Sequence, residues 1–218
     1  MIRKRYGHCS VFANGYVYCI GGFEQKDELE YDLKTISVCE KYHPLEDIWS
    51  ETSSLINSWA YASAVLIENK FIYLIGGLDH FSALDKIERY DLMLDKWFPV
   101  KLKLPKKIAK LGIGKINEQN AIIFGGIYGN DQNEYCYLNE AHNINFKKMT
   151  IKSIPAMKEK RILYPNVPKL ASKLYIIGGQ FNTKCESFDL EKGVWQDIAN
   201  YSDILHDNDL QTFSLFIN

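Results

Sequence analysis

The sequence predicts an all-β chain made of four tandem copies of a four-stranded unit, followed by one extra strand. Three observations carry that expectation. An apolar run ending in a glycine doublet occurs four times: Tyr16–Ile20 before Gly21-Gly22, Phe71–Ile75 before Gly76-Gly77, Ala121-Ile122-Ile123-Phe124 before Gly125-Gly126, and Leu174-Tyr175-Ile176-Ile177 before Gly178-Gly179. The doublets are spaced by 55, 49 and 53 residues, and a period near fifty marks a repeat in which each copy is one supersecondary unit. An aromatic pair spaced by seven residues follows three of the doublets: Tyr42 and Trp49, Tyr90 and Trp97, Phe188 and Trp195.

Each element has a local reason. Unbroken apolar runs read as strands buried on both faces, and glycines at their ends permit positive φ and close backbone approach. In the first copy, Arg5-Tyr6-Gly7-His8-Cys9-Ser10-Val11-Phe12 forms a strand candidate that reaches Asn14-Gly15, a hairpin signal between apolar runs. The doublet strand follows, then a polar stretch, then Val38-Cys39-Glu40-Lys41-Tyr42, and a turn containing Pro44 and Asp47 leads to Ile48-Trp49. The second copy repeats the order, with Glu68-Asn69 as its first turn. In the third copy Tyr137 is taken as the third-strand aromatic, with Phe146 nine residues on in place of the tryptophan, so a looser hairpin is expected there. The four copies span about 5–54, 58–104, 107–155 and 161–200. Residues 210–218 align with the opening strand of a copy at 61–69, and a partial strand is expected within 205–218.

These residues resemble the kelch repeat: a strand led in by Arg or His, an apolar strand with Gly-Gly, a strand with Tyr and a strand with Trp. The resemblance implies a kelch-type β-propeller of four four-stranded blades plus one extra C-terminal strand, in which Tyr42, Trp49, Tyr90, Trp97, Phe188 and Trp195 pack between blades. Stacking is what buries the two faces of each sheet. Kelch propellers commonly close by letting a terminal strand complete the blade at the other end, yet here neither terminal copy lacks a strand. An incomplete ring, or one completed by another chain or by self-association, is therefore expected, with a compact four-bladed ring whose last strand is displaced as the alternative.

Composition narrows the function classes. Apolar residues make up 46% of the 218, enough for a core. The net charge of −1 offers no global electrostatic attraction, and no aromatic interleaving accompanies the lysines, so no nucleic-acid partner is expected. No apolar run reaches membrane-spanning length, so no membrane partner is expected either. Five scattered cysteines, Cys9, Cys19, Cys39, Cys136 and Cys185, fit reduced thiols. With no apolar signal core after the basic start, a cytoplasmic location is expected.

No catalytic, metal or cofactor site is expected. His8, His43, His80, His142 and His206 fall singly, never at metal-ligand spacing, and no phosphate-cradling or nucleophile-elbow motif occurs. The iron-dependent specifier proteins, which resemble kelch propellers, carry E-x-x-x-D-x-x-x-H. Here Lys4, Cys39, Gly76, Leu138 and Ser202 stand four residues before the histidines, so that set does not carry over.

The loops remain. The segment leading into a first strand and the one leaving the doublet strand share a face, because those strands are antiparallel, and the resemblance implies that this face binds partners. The first outgoing loop is the longest and carries Asp27 and Glu28 among its acids. On the same face Lys101, Lys103, Lys106, Lys107 and Lys110 stand without an intervening acid, and Lys158, Lys160 and Arg161 follow before the fourth copy. A protein partner at these positions is expected, making the chain a non-catalytic interaction module. The resemblance also allows a substrate receptor of a cullin-type ubiquitin ligase, whose cullin-binding domain is not expected within 218 residues. The alternative of another class is a propeller enzyme or a metal-dependent enzyme modifier.

Overall fold

The computed structural model describes residues 1–24, 34–80, 82–129, 135–163, 166–180 and 182–199. Asp27, Glu28 and the strand expected within 205–218 lie outside the described residues. Two compact units divide the chain, residues 1–109 and the part beginning at Lys110.

The first unit holds two four-stranded antiparallel sheets. One is formed by β1 (Cys9–Ala13), β2 (Tyr16–Ile20), β3 (Cys39–His43) and β4 (Ile48–Thr52), the other by β5 (Ser63–Ile67), β6 (Phe71–Ile75), β7 (Ile87–Asp91) and β8 (Lys96–Val100). The second unit holds β9 (Gly112–Asn117), β10 (Asn120–Phe124), β11 (Ala141–Asn145) and β12 (Thr150–Ile154), then β13 (Lys169–Leu170), β14 (Lys173–Ile177), β15 (Cys185–Asp189) and β16 (Val194–Ile198). Within each sheet the strands lie in chain order, so every neighbour is an antiparallel hairpin partner.

The seven-residue aromatic spacing has a register behind it. Tyr42 faces Trp49, Tyr90 faces Trp97, and Phe188 faces Trp195 across the last hairpin of their sheets. Their rings lie 5.0, 5.1 and 4.9 Å apart, within the range where aromatic pairs add to simple burial. The third sheet corrects the expectation made for it. Its equivalent pair is Ile144 facing Ile151, again seven residues apart, while Tyr137 lies in a short outer strand, Tyr135–Tyr137, and Phe146 in the turn after β11. The third hairpin is thus no looser than the others. The aromatic at 137 misled because the loop leaving this doublet is longer than it looked.

Each of these hairpins turns through a residue with positive φ just before the outer strand: Asp47, Asp95, Met149 and Gly193. Asp and Gly suit that conformation. In the first two sheets the tyrosine hydroxyl also donates to this aspartate, Tyr42 to Asp47 at 2.8 Å and Tyr90 to Asp95 at 2.5 Å.

Adjacent sheets within a unit pack face to face. In the first unit Cys9, Val11, Tyr18, Ile20 and Cys39 meet Ala64, Ile72, Leu74, Tyr90 and Trp97. In the second, Ile122, Phe124 and Ala141 meet Leu174, Ile176 and Phe188. The tryptophans also bond across these seams: Trp97 Nε1 donates to the Ser53 carbonyl at 3.1 Å and Trp195 Nε1 to the Pro155 carbonyl at 2.7 Å.

The glycine doublets are where one copy meets the lead-in of the next. Gly22, Gly77 and Gly126 donate their backbone N–H to the carbonyls of Trp59, Ile108 and Arg161. At Gly77, φ is +100°, and a Cβ there would stand 2.7 Å from the Ala60 carbonyl oxygen and 2.9 Å from the Ala62 nitrogen. Backbone is what it would strike, so the exclusion of larger residues is steric as well as conformational.

Candidate functional site

The lead-in segments are held by a buried ionic clamp that the sequence did not announce. Arg5 reaches back under the first doublet, donating to the Gly21 carbonyl at 3.0 Å, to the Val38 carbonyl at 2.6 Å, and to Glu40 on β3. Both charged side chains are fully buried. Glu40 also accepts backbone N–H bonds from Ile2 (2.8 Å) and Arg3 (3.1 Å). The fourth copy repeats the arrangement: Arg161 donates to the carbonyls of Gly178 and Lys184, both at 2.7 Å, and to Glu186 at 2.5 Å. Glu186 accepts from the backbones of Lys158 (2.9 Å) and Glu159 (3.2 Å). Buried charges persist only when paired and hydrogen-bonded, and here both conditions are met.

Arg161, expected on the partner-binding surface, is therefore a structural residue. Its guanidinium is consumed inside the clamp, and its paired acid lies 25 residues along the chain, beyond the reach of local charge counting.

The second copy keeps the acid and loses the arginine. Glu88 stands where Glu40 and Glu186 stand, but Trp59 occupies the arginine position. Among the described residues, Glu88 receives the Ile56 N–H at 3.3 Å and the Asn57 amide at 3.4 Å. Burial accordingly pushes its carboxyl above the usual range, against the pull of those two bonds and of Lys86. The third copy carries Ile108 and His142 at the two positions, so the arginine–glutamate pair is not repeated there.

With the clamps in place, lead-in and outgoing segments meet on one side of the sheets, as expected from the antiparallel order. Arg5–Tyr6 pairs with Phe23–Glu24, which pairs with Lys34–Thr35. In the second copy Ala60 and Leu78 exchange backbone bonds of 2.9 and 2.7 Å, and Tyr61 N–H donates to the Gly7 carbonyl at 2.7 Å, joining the two lead-ins. On this platform Phe23 is flanked by Tyr6, at 5.4 Å between ring centroids, and by Tyr61, at 5.6 Å. Beside them Thr35 donates to Ser58 at 2.9 Å and Ser58 to Asp79 at 3.2 Å, and Arg3 bonds Glu24 at 3.1 Å. Sequence reasoning missed this aromatic set. The available signal was an aromatic directly after Gly22 and another directly before Gly7, positions that flank the backbone approach.

The expected lysines divide by environment. Lys101 and Lys107 are exposed, and Lys103 is exposed but bonds Asp85 at 3.2 Å. Lys106 is half-buried. In the second unit Lys110 is half-buried, and burial pushes its amine below the usual range. Lys158 is exposed and paired with Asp197, and Lys160 is exposed. Among the described residues, no three His, Cys, Asp or Glu side chains converge on a metal-sized site.

Comparison with known proteins agrees with this geometry. The family profile described as Kelch motif matches residues 4–56. An F-box/kelch-repeat protein of Arabidopsis thaliana is 34% identical over 42% of this chain and 19% of its own length. Kelch-like protein 23 of Pongo abelii is 26% identical over 90% of this chain and 33% of its own length. Kelch-like protein 38 of Rattus norvegicus is 22% identical over 95% of this chain and 34% of its own length. The chain thus spans about a third or less of these curated relatives. Among solved structures, that of YjhT superposes with a TM-score of 0.70 at 11% identity, covering 91% of this chain and 66% of that one. Four-stranded antiparallel sheets in tandem and this structural likeness define an all-β fold of the kelch β-propeller class. The kelch motif is matched over residues 4–56, and over most of its length the chain is similar to kelch-like proteins at 22–26% identity.

Proposed function

We propose that this chain is a non-catalytic protein-interaction module that presents the lead-in platform to a protein partner in the cytoplasm. The observation that carries the reading is the division of labour among side chains. The paired aromatics and the clamp charges are spent on packing, while Lys101 and Lys107 in the first unit and Lys160 in the second remain exposed on loops. Loops on a rigid scaffold are where recognition concentrates, and a lysine-bearing surface suits an acidic partner. The test is affinity capture with wild type and with a variant carrying Lys101→Glu, Lys103→Glu and Lys107→Glu. Loss of a partner captured by wild type, at unchanged thermal stability, supports the reading, and identical partner sets overturn it.

A second reading has one observation in its favour: a relative matched at 34% identity is an F-box/kelch-repeat protein. On this reading the chain is the substrate-receptor propeller of a cullin-type ubiquitin ligase whose remaining domains lie outside these residues. Its test is whether the captured partner accumulates in cells when this protein is depleted.

A further inference from the structure

Lysines far apart in the sequence gather at one end of the second unit. In an antiparallel meander the turn between the first two strands and the turn between the last two lie at the same end of the sheet, and backbone bonds tie them together here. Phe146 N–H donates to the Gln119 carbonyl at 2.8 Å in the third sheet, and Leu190 N–H to the Ser172 carbonyl at 2.8 Å in the fourth. Lys169 joins the two sheets at this end, its Nζ donating to the Ile116 carbonyl at 2.7 Å. The four turns therefore form one continuous surface, at the ends of the sheets remote from the lead-in at 158–163.

This surface is basic. Lys147, Lys148, Lys169 and Lys192 stand exposed on it. Of the acids there, Glu118 bonds Lys115 at 2.6 Å, Asp189 is buried and accepts the backbone N–H groups of Glu191 and Lys192, and Glu191 is exposed. Exposed apolar side chains stand among the lysines: Met149 after Lys148 is 41% exposed, Leu170 after Lys169 is 53% exposed, and Val194 close to Lys192 is 43% exposed. The corresponding turns of the first unit carry Glu46, Asp47, Glu68 and Asp95 against Lys70 and Lys96, so a basic turn end is not a property of the repeat.

The pairing of lysine with exposed apolar neighbour decides between anionic occupants. In a lipid headgroup layer the ammonium meets anionic headgroups while the apolar tip enters the acyl boundary, so both members of each pair gain. An acidic protein segment would satisfy the lysines and leave Met149, Leu170 and Val194 in water. A nucleic acid would be held by aromatic rings on which bases stack, and Phe146, the aromatic of these turns, is 3% exposed.

We propose that the turn end of the second unit docks on an anionic lipid surface. The contact is peripheral and needs no spanning run, because lysines near a charged leaflet are attracted without leaving the interface. It is separate from the lead-in surface, and docking through the turns leaves the lead-in at 158–163 directed away from the bilayer. The lysines come from three short stretches, Lys147-Lys148, Lys169 and Lys192, and they become one patch only when the sheets pair and pack.

Co-sedimentation of residues 1–218 with vesicles tests the proposal. Phosphatidylcholine vesicles containing about one third phosphatidylserine should bind the chain, pure phosphatidylcholine vesicles should not, and added salt should release it. A variant carrying Lys147→Gln, Lys148→Gln and Lys192→Gln should partition about a hundredfold more weakly, roughly fivefold per lysine. Leu170→Ser should weaken binding at unchanged net charge, whereas Lys160→Gln in the lead-in should leave it unchanged. Hydrogen exchange on the unmutated chain gives a readout that does not depend on the variants folding: residues 146–149 and 190–194 should gain protection with the anionic vesicles, and residues 158–160 should not. Equal binding to both vesicles, binding to neither, or a triple variant or Leu170→Ser variant that binds like wild type overturns the proposal. Polyglutamate that protects the same turns while the vesicles do not also overturns it, since the occupant is then an acidic protein segment.

Discussion

Replacing Arg161 with methionine isolates the worth of the buried clamp. The substitution roughly preserves volume while removing the charge and three bonds, to the carbonyls of Gly178 and Lys184 and to Glu186. Two carbonyls lose a donor, and a buried carboxylate loses its counter-charge. Breaking a buried pair by removing one partner costs about 3–5 kcal/mol. Glu186 would keep the backbone N–H bonds from Lys158 and Glu159, which places the expected loss near the lower end, about 3 kcal/mol. Urea unfolding at neutral pH, read by tryptophan fluorescence, measures it. Adding Glu186→Gln should recover part of the loss, since no charge remains and the amide oxygen still accepts from one of the two backbone donors, which bond different carboxylate oxygens. A single variant within about 0.5 kcal/mol of wild type would refute the reasoning, because surface substitutions cost no more than that. A double variant no better than the single would refute it equally.

Other consequences can be measured alongside. Gly77→Val places a Cβ against the Ala60 carbonyl at a φ of +100° and should cost at least about 1–3 kcal/mol; unchanged thermal stability would contradict the account of the doublets. Glu88 has a folded carboxyl raised above its unfolded range by burial, so its contribution to stability is present below the unfolded range and lost as pH rises through the folded one. Glu88→Gln should therefore gain on wild type as pH is raised from 4 to 7, and a pH-independent difference in unfolding midpoint would count against that assignment. Met149 holds a φ of +52° where the fourth copy has Gly193; relief of a left-handed cost of about 1–2 kcal/mol, offset by glycine's extra chain entropy of about 0.5–1 kcal/mol, should leave Met149→Gly slightly more stable, read as a higher midpoint in thermal unfolding. Trp97→Phe removes the bond to the Ser53 carbonyl and should cost about 0.5–1.5 kcal/mol, while leaving far-ultraviolet circular dichroism unchanged.

Local chemistry determined much of this protein on its own. A β-branched run closed by two glycines can scarcely be anything but a strand meeting a tight backbone approach. Tyr90 and Trp97 at seven residues fit a hairpin whose two strands bring them opposite one another. Such signals are short-range, so they are legible wherever the chain repeats them. The third copy shows where that reach ends. Ile144 and Ile151 hold the same cross-strand pair as Tyr90 and Trp97, but without an aromatic to mark them, and only the pairing of β10 with β11 decided which residues those were. Arg161 shows it again for the candidate site. As one of three cations in a run it reads as solvated surface, yet Glu186 lies on a strand that the fold brings beneath it, and a buried carboxylate demands a counter-charge. The separation of exposed Lys101 and Lys107 from half-buried Lys106 and Lys110 is likewise tertiary. Burial depends on what packs over a side chain, and sequence neighbours of one charge type carry no record of that.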